Sequence, residues 1–296
     1  MSNSGRHGHV HVNGRDLHFV DEGKGTPMVL LHGWGFDHTC WRPLVDRLAT
    51  QYRVITVDLP GHGRSRPSAS AYTMEDLAAD IAELITTLDL REPPIVVGHS
   101  LGGAVVQQLA VSDPQAVRAI IVLDSDLNTG PKRFVMSAST VVFAWWMRLA
   151  ARLLGVKRSL GLYGPLLEIA TYSRTWRKAH PKLVQEAGLK FVDNNLDDLI
   201  WSIVAWATRP DLTNQIAKFT RPALLIRGSK DLMTTGGTMR TLSEAIPYSR
   251  LQSIAGAGHA TIVEQPDAVA AMIRSFVEGT MSDDEATVVS PQFVSV

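Results

Sequence analysis

"VVGHSLGGA", Val96 to Ala104, passes from an apolar run into a glycine, then His99 and Ser100, then two more glycines. The stretch poses one question: is Ser100 a nucleophile on a tight turn, or an ordinary serine between a strand and a helix? Serine is a common residue at a helix N-cap, so on its own it decides nothing. A reactive serine needs a base to take its proton, an acid to orient that base, and donors for an oxyanion. The rest of the chain must supply them.

Working outward, strand-like and helix-like segments alternate. "PMVLL" at 27–31 and "YRVITVDLP" at 52–60 are continuous apolar runs, as expected of strands covered on both faces. Earlier, "GHVHV" and "RDLHFV" alternate in polarity around "NGR", a hairpin signal. "MEDLAADIAELITTL" at 74–88 has helical spacing of Leu77, Ile81, Leu84, Ile85 and Leu88, with Thr73 and Asp76 as a capping pair. "PIVVG" predicts a strand and "LGGAVVQQLAVS" a helix. "VRAIIVLDS" at 117–125, "PALLIRGS" at 222–229 and "RLQSIAGAG" at 250–258 predict three more strands, and "PDAVAAMIRSFVEG" a closing helix. This alternation predicts an α/β fold with a mostly parallel sheet and helices on both faces. Between about 127 and 211 no strand pattern occurs, and five of the seven tryptophans lie there: Trp145, Trp146, Trp176, Trp201 and Trp206. An all-helical insertion is expected at 127–211, within a core made of 1–126 and 212–280; the tail from 281 to 296 is expected to be loose.

Composition narrows the function classes. The chain's 296 residues suit one large domain with an insertion. Its 29 basic and 29 acidic side chains balance, which gives no electrostatic footprint for nucleic acid. A single cysteine, Cys40, excludes an internal disulfide framework. "MSNSGRHGHVHV" lacks the apolar core of a secretory signal, and "VVFAWWM" at 141–147 is too short to span a bilayer before Arg148 and Arg152 interrupt it. A cytoplasmic protein is expected. His7, His9 and His11 alternate, which places them on one face of an exposed first strand; no metal site and no cofactor are expected. From 128 to 190 there are eleven basic side chains against two acids, Glu168 and Glu186. That asymmetry predicts a solvated basic face. The sharper reading is a docking surface for an anionic partner, either an acyl carrier protein or a membrane surface.

In an open parallel sheet, ligands bind beyond the carboxyl ends of the strands. "HGWGFD" follows "PMVLL", "GHSLGG" follows "PIVV", and "DSD", "SKD" and His259 follow the last three strands in turn. These ends bring together Trp34, Ser100, Asp124, Asp231 and His259. They amount to a nucleophile, a base, two candidate acids and an oxyanion loop, in the chain order Ser, Asp, His.

"GHSLG" matches the Gly-x-Ser-x-Gly nucleophile elbow, and the chain resembles the α/β-hydrolase superfamily. "LLHGWGFD", "VDLPGHGRS", "GHSLGGAVVQQLA", "LLIRGSKD" and "GAGH" follow the family's usual order, from about Val10 to Gly279, with the insertion at the family's cap position after the sixth of eight strands. The resemblance implies a strained serine with φ above zero, made possible by the small Gly98 and Gly102. It implies oxyanion donors at the backbone N–H groups of Leu101 and Trp34, each worth about 100- to 1000-fold in rate. Asp231 occupies the family's commonest acid position; Asp124 occupies the position some members use instead. His32 is expected to brace the oxyanion loop and His99 to line or support the pocket floor, with Trp145 and Trp146 roofing the pocket.

The activity so implied is hydrolysis of a small-molecule carboxylic ester with an apolar acyl or alkyl group, through an acyl-enzyme. "LLHGWGFDHTCW" and "RPLVDRL" look like the carboxylesterase branch that removes methyl esters from carrier-bound acyl chains, although "GHS" departs from the "GWS" of that branch. Lactonases, C–C bond hydrolases and perhydrolases share the triad and stay open. Epoxide hydrolases and haloalkane dehalogenases use an aspartate where this chain has Ser100. A reading from another class, a ligand receptor with little turnover, also stays open; the complete triad argues against it.

Overall fold

The computed structural model describes residues 5–129 and 133–282. Its strands are β1 (Arg6–Val12), β2 (Arg15–Gly23), β3 (Pro27–Leu31), β4 (Arg53–Val57), β5 (Ile95–His99), β6 (Ala119–Leu123), β7 (Ala223–Gly228) and β8 (Ser249–Ile254). They form one eight-stranded sheet in the order β1-β2-β4-β3-β5-β6-β7-β8. β1 and β2 run antiparallel to their neighbours, and all pairs from β4 to β8 are parallel. At the β1–β2 turn Asn13 and Gly14 have φ 46° and 81°. Two successive positive φ values are what a two-residue hairpin loop needs, and Asn-Gly supplies them at least cost.

The helices of the core are α1 (Arg42–Leu48), α2 (Met74–Thr87), α3 (Leu101–Ser112), α9 (Thr213–Ile216), α10 (Gly236–Ala245), α11 (Thr261–Glu264) and α12 (Pro266–Ser282). Strand residues alternate between two buried layers. Val29, Leu31, Val96, Ile120 and Leu225 pack on one face against Leu77 and Ile81 of α2 and Val105 and Leu109 of α3. Met28, Leu30, Val97, Ile121 and Leu224 pack on the other against Leu44 and Leu48 of α1 and Ile273 and Phe276 of α12. Burial on both faces is why these strands read as unbroken apolar runs.

α2 carries the expected cap. Thr73 Oγ1 accepts from the Asp76 N–H, and the Asp76 carboxylate accepts from the Thr73 N–H. Thr73→Ala removes one half of this box and is expected to cost about 1 kcal/mol, read as a lower urea midpoint at unchanged slope.

Between β6 and β7 lie α4 (Arg133–Leu154), α5 (Val156–Thr171), α6 (Arg174–Ala179), α7 (Pro181–Asp193) and α8 (Leu196–Thr208). No strand occurs there among the described residues, as the sequence pattern predicts. Gly155, at φ 82°, turns α4 back into α5. The inserted helices reach the carboxyl ends of the strands: the Trp34 indole N–H donates to the Leu199 carbonyl at 2.8 Å, and the Gly63 N–H to Asn194 Oδ1 at 3.0 Å. The expected loose tail lies outside the described residues from 283 onward.

The first-strand histidines point outward, as expected, but one of them is tied inward. His7 Nδ1 lies 2.9 Å from His18 Nε2, whose Nδ1 lies 2.8 Å from the buried Asp58 carboxylate; His38 Nδ1 meets the same carboxylate at 2.9 Å. The His38 and Arg64 backbone N–H groups also donate to Asp58, which makes this carboxylate the knot between the hairpin and two loops. Its carboxyl is held well below the usual range: burial opposes ionisation, but the two histidine hydrogen bonds outweigh it.

Candidate active site

Ser100 stands between β5 and α3 with φ 52° and ψ −114°. A non-glycine residue in this region is strained and persists only where its surroundings enforce it. Two close approaches do so here. A Cβ on Gly98 would lie 2.3 Å from the Gly102 carbonyl oxygen, and one on Gly102 would lie 2.2 Å from that of Leu31. Only glycine lets α3 pack this tightly onto β3 and β5, and the turn it leaves projects the Ser100 side chain beyond the strand ends.

His259, in the loop after β8, places Nε2 2.8 Å from Ser100 Oγ. Its Nδ1 lies 2.9 Å from Asp231 Oδ2, in the loop after β7. Asp231 Oδ1 accepts the backbone N–H groups of Met233 and Thr234 at 2.7 and 3.0 Å. Burial pushes the Asp231 carboxyl up, but the His259 hydrogen bond and charge and these two N–H groups hold it below its ordinary value. It is therefore ionised at neutral pH and can only accept. His259 Nδ1 must then carry the proton, which leaves a bare Nε2 lone pair facing the Ser100 hydroxyl. Burial alone would depress His259; the hydrogen bond and charge of Asp231 outweigh it and raise the pKa above 6.5.

Asp124 is close by, in another role. Its Oδ1 accepts the Gly228 N–H at 2.8 Å, and its Oδ2 accepts the Thr261 hydroxyl at 2.5 Å. Its backbone carbonyl accepts the Thr234 hydroxyl at 3.1 Å. It thus clasps the loops that carry Asp231 and His259, while the hydrogen bond to His259 comes from Asp231. Full burial raises its pKa to about 7.

The loop after β3 approaches the same point. A Cβ on Gly33 would lie 3.2 Å from Ser100 Cβ, so Trp34 follows directly beside the serine. Leu101 is the first residue of α3, where backbone N–H groups have no helical acceptor. Among the described residues no backbone hydrogen bond takes up the N–H of Trp34 or Leu101.

The expected pocket residues divide. His32 is fully buried, with Nδ1–H donating to the Gly33 carbonyl at 2.8 Å and Nε2 accepting the Leu59 N–H at 2.9 Å. It braces the loop and does not line the pocket. His99 is also fully buried; its Nε2–H donates to the His259 carbonyl at 2.8 Å, and its pKa is depressed to about 3 by burial. Trp145 and Trp146 correct the expectation of a tryptophan roof. On α4 it is Ala144 and Met147 that face inward and are buried, while Trp145 is 64% and Trp146 41% exposed. Successive helical positions turn by about 100°, so the residues between two inward-facing ones point out. Trp146 packs on Phe143 and Tyr163 within the insertion.

The cavity beside the loop is instead lined by Trp34, Phe36, Leu167, Tyr172, Val184 and Phe191. Trp34 and Phe36 lie in the loop after β3, whereas nothing in the sequence separates Leu167, Val184 and Phe191 from other apolar helix positions. One buried polar group has no motif to mark it in the sequence. The buried Glu264 accepts the Ser173 N–H and hydroxyl at 2.9 and 2.6 Å and the Gly258 N–H at 3.1 Å, which ties the insertion to the loop of His259. An acid five residues beyond the histidine was its only signal.

The sequence model of the alpha/beta hydrolase family matches residues 28–272. A pimeloyl-[acyl-carrier protein] methyl ester esterase from Yersinia pseudotuberculosis is 27% identical over 265 residues, 89% of this chain and 98% of its own. The protein of the same name from Xanthomonas axonopodis is 28% identical over 268 residues, 88% and 98% of the two chains. An esterase structure from Thermogutta terrifontis superposes with a TM-score of 0.82 at 24% identity, covering 93% of this chain and 99% of that one. The enol-lactonase of Burkholderia xenovorans gives 0.80 at 24%, covering 92% and 100%. At that identity the two structures speak for the fold alone. With the elbow, the sheet order and the family match over most of its length, the chain belongs to the alpha/beta hydrolase family.

Proposed function

We propose that the protein hydrolyses a carboxylic ester bearing an apolar acyl or alkyl group, with Ser100 as nucleophile, His259 as general base and acid, and Asp231 as the acid that orients it. The observation that carries the reading is the unbroken hydrogen-bonded chain from Asp231 through His259 to Ser100, ending on a residue at φ 52°. In this mechanism Ser100 Oγ bonds to the ester carbonyl carbon as His259 Nε2 takes its proton. The carbonyl electrons move onto oxygen, which the Trp34 and Leu101 N–H groups hold. The intermediate then collapses, and the departing alkoxide takes the proton from His259. Water attacks the acyl-enzyme, giving its proton to His259, and Ser100 leaves with that proton restored. Asp124 clasps the two loops from behind.

The apolar cavity supports an apolar group on the substrate. Beside it, sharing Glu168, Val184 and Gly188, runs a groove lined by Arg174, Arg177 and Lys178. This supports an anionic far end on the substrate, and the names of the sequence relatives suggest a carrier-bound acyl ester as its finer identity. The cytoplasm is the proposed compartment: the chain has one cysteine, and among the described residues no helix is long and apolar enough to cross a membrane.

A fluorophosphonate probe tests the reading. Folded protein at neutral pH should label at Ser100; absence of labelling rejects a hydrolase in favour of a receptor. The base must be neutral to accept a proton, so kcat/KM should fall as pH drops through the His259 pKa. Because that pKa is raised, the acid limb should have its midpoint above 6.5 on a p-nitrophenyl ester. A midpoint below 6.5 counts against the Asp231–His259 pair.

A further inference from the structure

The α4–α5 hairpin presents an apolar outer face. Val142, Trp145, Leu149 and Leu153 recur at helical spacing along α4, and Leu162 and Leu166 do so on α5; each is at least 52% exposed. A monomeric soluble protein rarely leaves such a stripe in water without a use for it. The charge beside it has one sign. From 133 to 167 the sequence contains no aspartate or glutamate. Arg148 is spoken for by Asp197 at 2.8 Å, but Arg152, Lys157 and Arg158 are exposed around the Gly155 turn, next to Leu153.

We infer that this hairpin docks the protein on an anionic phospholipid bilayer. Exposed leucines with a tryptophan at their centre, flanked by Lys and Arg, are what an interfacial helix offers to the boundary between headgroups and acyl chains. Long basic side chains can keep their charge at the phosphates while their stems lie along the apolar surface. A second copy of the chain is the poorer occupant. A two-fold pairing of this face would bring together two faces that both carry Arg152, Lys157 and Arg158, with no acid between 133 and 167 on either to oppose them. α5 also lends Leu167 to the apolar cavity, so the docked face and the cavity lie on opposite sides of one helix. An ester with an acyl chain would need to cross only that helix layer to leave the bilayer for the cavity. The docking itself is independent of the ester reading, because membrane binding is read without turnover.

The test is co-sedimentation of the full chain with phosphatidylcholine vesicles containing one third phosphatidylglycerol, against pure phosphatidylcholine. Binding to the anionic vesicles, weakened by salt, with a blue-shifted tryptophan emission that Trp145→Phe diminishes, is the expected result. Lys157→Glu with Arg158→Glu should weaken partitioning at least about tenfold, and Leu149→Ser with Leu153→Ser should abolish the blue shift. All these positions are exposed, and cooperative thermal unfolding checks that the variants fold. Equal binding to neutral vesicles, or none to anionic ones, overturns the inference. So does a dimer seen by light scattering that Leu153→Glu dissociates, or capture of an acidic carrier protein through these residues without vesicle binding.

Discussion

Ser100→Ala is expected to lower kcat by a factor on the order of 10⁶ while leaving the protein folded. The substitution removes the Oγ that His259 Nε2 meets at 2.8 Å and nothing from the core. Removing a triad nucleophile costs about as much as removing the whole triad, because the members act as one unit. The backbone at residue 100 is set by the glycines around it, so alanine inherits the same strained turn. Thermal unfolding close to wild type, with a residual turnover on the order of 10³-fold above the uncatalysed rate from the oxyanion donors and no fluorophosphonate labelling, is the result to look for. Retention of more than about a hundredth of the activity, against the loss seen in triad deletions, rejects Ser100 as the nucleophile.

Asp231→Asn and Asp124→Asn should differ sharply although the two carboxylates flank the same histidine. An asparagine at 231 can offer its amide N–H to His259 Nδ1. The ring would then carry its proton on Nε2 and have no lone pair for the Ser100 hydroxyl. A loss of about 10⁴ in kcat is expected. The acid limb of the pH profile should also move down, because Asp231 supplies the hydrogen bond and charge that raise His259. At 124 the demands are milder. The side chain accepts from Gly228 N–H and from Thr261, and an asparagine oxygen can keep one of these bonds. Burial also raises the native carboxyl's pKa, so a neutral side chain is less foreign to this site than it is at 231. Asp124→Asn should therefore cost no more than about tenfold, of the order of one displaced hydrogen bond. Steady-state kinetics on one p-nitrophenyl ester would compare the two, and the reverse order would make Asp124 the triad acid.

Much of this was legible in the sequence, for a physical reason. Strands covered on both faces have few polar positions, so "PMVLL" and "PIVVG" stand out, and Ser100 directly follows the second of them, while Asp231 and His259 lie in the short loops after β7 and β8. The order of strands is another matter. β4 lies between β2 and β3 through pairings that no local pattern encodes. α10 begins at a Thr235 cap but is mostly polar, with only Met239 and Leu242 buried, so its period is faint. The sequence points to the wrong side of α4 for the pocket because that helix is apolar on its outer side too. "VVFAWWM" carries no polar face to show which way it turns, and the tryptophans drew attention to the side that proved exposed. Phe191 and Tyr172, which do line the cavity, look in sequence like ordinary helix core.

The Glu264 carboxylate spans two parts that must cooperate. It holds Ser173 of the insertion with one oxygen on the N–H and the other on the hydroxyl, and it holds Gly258, next to His259, as well. The Ala260 N–H adds a bond to the Thr171 carbonyl at 2.9 Å. The insertion is thus pinned at its α5–α6 corner to the backbone that aims the base. A displacement of the insertion at this corner would therefore carry the His259 loop with it and draw the base out of register with Ser100.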